Sequence, residues 1–149
     1  MFRWFLQVLT RLSAINCLLM LGLFGGSCFF SVKPVYYEED KRIAFEHIDR
    51  FHAHFNEADY DRIYELFSDK GRNWQTREQF AAALRSLRES TGNFKTYAVT
   101  KADVKPHRNG RIVHLVLSTE YERKRIVEEF DCVVDGRNVH FEFYGQPEI

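Results

Sequence analysis

The sequence predicts an α+β domain in which three N-terminal helices pack on a curved four-stranded antiparallel sheet. Apolar residues recur at helical spacing as far as Gly92, and from Phe94 onward the spacing becomes two. Asn109-Gly110 and Asp135-Gly136 then fall between alternating runs, where such pairs make hairpin turns. Helices with one apolar stripe and a sheet with one apolar face bury both by packing together.

The first helix is expected from Glu39 to Asn56. Ala44, Ile48, Phe51 and Phe55 form its buried stripe, and Glu38, Glu39 and Asp40 suit the positive end of its dipole. Asp59 can cap a short second helix from Tyr60 to about Phe67, and Ser68 to Gln75, with Gly71, reads as a loop. Thr76-Arg77-Glu78-Gln79 fits a capping box and opens the third helix, with Phe80, Ala83, Leu84, Leu87 and Thr91 on one face and Gly92 as terminator.

The strands are expected over Phe94–Val104, Ile112–Tyr121, Arg125–Val134 and Asn138–Tyr144. In the third, Ile126, Phe130, Cys132 and Val134 share a face that Glu128 interrupts. In the fourth, Val139, Phe141 and Phe143 oppose His140, Glu142 and Tyr144. Hairpin connections make the sheet antiparallel.

With 149 residues the chain is sized for one domain, 39–146, behind a leader, 1–27, and a tether, 28–38, that contains Pro34. Lys plus Arg and Asp plus Glu both number 21, so no basic surface points to nucleic acid. Cys17, Cys28 and Cys132 have neither zinc-knuckle nor redox spacing, so no metal or cofactor is expected, although Cys28 and Cys132 can pair in an oxidising compartment.

No residue from Leu12 to Val32 is charged, and Arg3 and Arg11 precede the run. The composition permits an anchor helix, a secretory signal or a lipoprotein signal. All three leave Arg3 and Arg11 in the cytoplasm and the rest of the chain beyond the membrane. Gly25-Gly26-Ser27-Cys28 resembles the lipobox of bacterial lipoproteins, which implies lipidation at Cys28. Gly25 departs from that pattern, where a branched apolar residue is usual.

The order of elements, with "NEADYDRIYELFS" and "TREQFAAALRSLRESTGNF" ahead of four strands, resembles the nuclear transport factor 2-like (cystatin-like cone) superfamily. The likeness rests on Asp59-Tyr60 opening the second helix and on Phe80, Leu84, Leu87, Gly92 and Phe94 entering the first strand. It is strongest to uncharacterised secreted bacterial domains. The resemblance implies a cone enclosing a pocket, which in enzymatic relatives holds a His, Asp or Tyr, and sheet-to-sheet homodimers. A shared fold does not transfer an activity.

Six histidines invite a metal or acid–base reading. His47 and His54 face one side of the first helix and His52 another; without an H-E-x-x-H spacing they read as surface residues. His114, with Ile112 and Val116, can sit at a pocket mouth. Glu128 either lines a cavity or is turned to solvent by a bulge or a sheet-edge position, and the second is favoured. Tyr64, Trp74 and Tyr97 can surround an apolar ligand.

The function expected is therefore a membrane-tethered cell-envelope protein with a non-catalytic domain. It would bind an apolar small molecule or an envelope protein or peptide. The alternative is a small isomerase, dehydratase or hydrolase using His114 or Glu128.

Overall fold

A computed structural model describes residues 36–146, all within one compact unit, Pro34–Ile149. The leader, Cys28 and most of the tether lie outside the described residues, and so does the Cys28 end of a bridge to the fully buried Cys132.

Four helices precede four strands among the described residues: α1 (Tyr36–Glu57), α2 (Tyr60–Glu65), α3 (Asp69–Arg72), α4 (Arg77–Thr91), β1 (Phe94–His107), β2 (Gly110–Tyr121), β3 (Arg125–Asp135) and β4 (Asn138–Gly145). The additional helix, α3, is a single turn inside the segment expected to be a loop. Ser68 forms it by accepting a hydrogen bond from the Gly71 amide at 3.0 Å.

Helix α1 buries Ala44, Ile48, Phe51 and Phe55 completely. Asp40, in its second turn, is buried as well and takes a two-pronged contact from the Arg111 guanidinium, which ties α1 to the start of β2. The helix stops at Ala58, whose φ of 58° turns the chain so that Asp59 caps α2 through the Arg62 amide. Helix α4 starts with both halves of the capping box: Gln79 N–H donates to Thr76 Oγ1 at 3.3 Å, and Thr76 N–H to Gln79 Oε1 at 3.0 Å.

The strands form an open antiparallel sheet in the order β1-β2-β3-β4. Val113, Leu115, Leu117 and Tyr121 of β2 join Phe130, Cys132 and Val134 of β3 against the helices. A register shift opposite Asp131 and Cys132 corrects the expected alternation of β4: Phe141 pairs with Cys132, Phe143 with Asp131 and Tyr144 with Phe130. The extra residue in β4 moves Phe143 off the apolar face, leaving it 44% exposed, and brings Tyr144 onto it. At the same edge the α2–α3 linker adds a short parallel bridge, with Ser68 N–H donating to Phe141 O and Phe141 N–H to Leu66 O, each at 2.9 Å.

No helix among the described residues is long and apolar enough to cross a membrane.

Candidate functional site

Strand β3 runs in regular register through Leu117↔Glu128, so no bulge displaces Glu128, and β3 has neighbours on both sides. Glu128 is therefore 0% exposed, which corrects the expectation that it turns to solvent. A buried carboxylate is costly unless hydrogen-bonded, and three side chains supply the bonds. Tyr121 and Tyr144 donate to Oε1 at 2.8 and 2.9 Å, and His52 Nε2 lies 3.0 Å from Oε2. Gln146 extends the chain by donating to the Tyr144 hydroxyl at 2.9 Å.

His52 is 1% exposed and His47 is buried too, which corrects their assignment to the helix surface. Helix α1 lies across the sheet and is covered on both flanks of its stripe. His52 stacks on Phe94 with ring centroids 4.0 Å apart, while His47 packs on Phe141 at 4.5 Å. The spacing carried a signal for this: Ile48, Phe51, His52 and Phe55 follow the i, i+3, i+4, i+7 pattern of a buried face.

Burial raises the proton affinity of Glu128, but the hydrogen bond and charge of His52 and the Tyr121 hydroxyl outweigh it, so its carboxyl lies below the usual range. Burial, then the Glu128 charge, pushes Tyr121 and Tyr144 upward, so both hydroxyls stay protonated donors. His47 is lowered to about 4, first by burial and then by Arg50 and His140, against the opposing pull of the Leu66 carbonyl. The geometry accounts for it: Nε2 meets Leu66 O at 3.1 Å, and the buried Nδ1 has no hydrogen-bond partner among the described residues to take a second proton.

Tyr144 also belongs to the wall of a cavity of about 220 Å³ between α2, α3, α4 and β4. Tyr64, Phe67, Trp74, Phe80, Phe143 and Tyr144 contribute six aromatic rings, and Gly71, Arg72, Gln75 and Glu142 complete the lining. Phe80 holds Tyr64 and Phe67 edge-on, with centroids at 5.6 and 5.2 Å. Gly71 lets α3 lie against β4, because a Cβ there would sit 2.9 Å from the Phe141 carbonyl. Trp74, in the turn before α4, is 79% exposed.

The aromatic residues singled out in the sequence thus separate. Tyr64 and Trp74 line this cavity, whereas Tyr97 stands on β1 and donates to Asp49 of α1 at 2.9 Å. His114 lies on the sheet face away from the core, with Nδ1 2.8 Å from Asp131 and Nε2 3.6 Å from Glu129. His54, Glu57 and Asp59 come within 4.8 Å of one another, but Asp59 is already engaged as the α2 cap and by Arg62.

Both Glu128 oxygens are occupied by three donors, and the carboxylate does not line the cavity. The cluster can fix α1, β2, β3 and β4 against one another. Its member on the cavity wall is Tyr144, whose O–H already points to Glu128. Six aromatic side chains border this space, with Arg72, Gln75 and Glu142 as its charged and amide residues.

No protein-family profile matches the sequence, and no curated protein does. The fold is similar to a solved structure of Bd1075 from Bdellovibrio bacteriovorus, with a TM-score of 0.51 over 74% of this chain and 7% sequence identity. The chain spans 42% of the length of that structure. At this identity the likeness is one of fold.

Proposed function

We propose that the chain is a membrane-tethered protein of the bacterial cell envelope whose folded part is a cone of the nuclear transport factor 2-like kind. It binds a small apolar molecule without transforming it. The observation that carries the reading is the six-ring cavity, with Glu128 sealed behind it by three donors. A space of about 220 Å³, open to solvent beside Trp74, is sized for a molecule of about one ring. The tether is supported by the uncharged run Leu12–Val32 and by Gly26-Ser27-Cys28, with Cys28 as the lipid-bearing residue. A second copy docking on the His114 side of the sheet completes the reading.

The test uses the two tryptophans of the chain, Trp4 and Trp74. In the full chain carrying Trp4→Phe, emission comes from Trp74 alone. Titration with benzyl alcohol is expected to give a saturable blue shift as the exposed indole is covered. A response that stays linear to the solubility limit sinks the cavity as a ligand site.

A further inference from the structure

An apolar ligand leaves one lining residue without a purpose. Glu142 puts a carboxylate, 11% exposed, among the six rings. Its ionic partner among the described residues is Lys70 Nζ at 2.6 Å, and Lys70 itself is 58% exposed. The other charged lining residue, Arg72, is already matched by Glu65 at 3.0 Å and Asp69 at 2.5 Å, and Arg77 beside it by Asp61 and Glu65. Arg72 and Arg77 thus share three acids, one net negative charge beside the separate, neutral Glu142–Lys70 pair.

Aromatic faces attract cations through their quadrupoles, and this site uses Tyr64 that way, with the guanidinium carbons of Arg77 and Arg72 at 4.7 and 5.8 Å from its centroid. Among the described residues no guanidinium or ammonium lies over Trp74 or Phe143, the two large exposed aromatics on the lining. An ion pair with one well-exposed partner contributes little, so Lys70 is easily displaced.

We propose that the ligand carries an organic ammonium group, which Glu142 accepts in exchange for the Lys70 ammonium while the faces of Trp74 and Phe143 receive its alkyl shell. The inference rests on the cavity being a ligand site, and it replaces a wholly apolar ligand by one with a cationic head inside an alkyl shell.

The test compares choline with its uncharged carbon isostere, 3,3-dimethylbutan-1-ol, by Trp74 emission in the full chain carrying Trp4→Phe. Choline is expected to bind about two- to fivefold tighter or better, the range of a cation–π contact on exposed rings. Glu142→Gln is expected to bring the choline-to-isostere ratio close to one. Lys70→Met removes the competing ammonium and is expected to raise that ratio several-fold, so the two variants move it in opposite directions. Equal binding of the two probes by the unsubstituted cavity overturns the ammonium requirement, as does an unchanged ratio in Glu142→Gln or a lowered one in Lys70→Met. If choline shows no preference while benzyl alcohol saturates, the ammonium inference falls and the cavity stands. If no probe saturates, both fall.

Discussion

Glu128 shows how one side chain can be costly alone and stabilising in company. Its three donors come from α1, β2 and β4, so each bond also fixes an element. Glu128→Gln keeps the volume but presents an amide N–H₂ to groups that are themselves donors, and is expected to lower unfolding free energy by about 2–4 kcal/mol in urea titrations. Tyr144→Phe removes one donor and is expected to cost about 1–2 kcal/mol, with the double variant clearly short of the sum. His47 governs a separate pH window. Its proton affinity in the fold is depressed to about 4, whereas the unfolded chain takes up the proton near 6.5. The unfolded state therefore binds more protons between these values. The stability contribution is complete above 6.5 and is lost as pH falls toward 4, a decline of up to about 3 kcal/mol. His47→Gln, which keeps a donor for Leu66 O, is expected to flatten that part of the pH–stability curve. Glu128, also depressed, loses its contribution at lower pH, as the medium falls through its folded value.

Elements announced by local chemistry were legible in the sequence, the single turn of α3 excepted, and those set by long-range geometry were not. The capping box of α4 needs only Thr76 and Gln79 three residues apart, and Thr76→Ala is expected to cost about 1 kcal/mol of stability. The α+β order of helices and hairpins followed from periodicity and turns in the same way. The bulge in β4 left no such mark, because Val139, Phe141 and Phe143 alternate as a regular strand would. That one extra residue carries Tyr144 to Glu128 and Phe143 to the cavity rim, so the site was hidden wherever it depended on the bulge. His52 was hidden for another reason: its spacing fitted the buried face, but its carboxylate partner lies 76 residues away. Gly71 tests the fit of α3 on β4. Gly71→Ala forces a Cβ against the Phe141 carbonyl and is expected to cost about 1–3 kcal/mol while weakening benzyl alcohol binding.

For the whole molecule, the two sheet edges are closed to further strands by different means. The α2–α3 linker covers β4 at Phe141, while β1 carries Lys95, Lys101, Lys105 and Pro106 together with two register shifts, all of which oppose edge-to-edge pairing. The proposed tether is tested by intact mass of the membrane fraction. Cleavage before Cys28 with added acyl chains, both lost in Cys28→Ser, is the expected result. An unmodified full-length mass in both forms leaves the anchor helix instead. The meander pairs each strand with its neighbour in sequence, so the sheet assembles from hairpins that close quickly. Helix α1 is completed later, because its Glu128 contact comes from a distant strand. At ordinary synthesis rates roughly 4 to 15 s separate the appearance of His52 from that of Glu128, 76 residues later. For that interval Phe51 lacks its ring partners Phe130, Phe141 and Tyr144, all on β3 and β4, and the cell must keep it from other apolar surfaces until those strands are made.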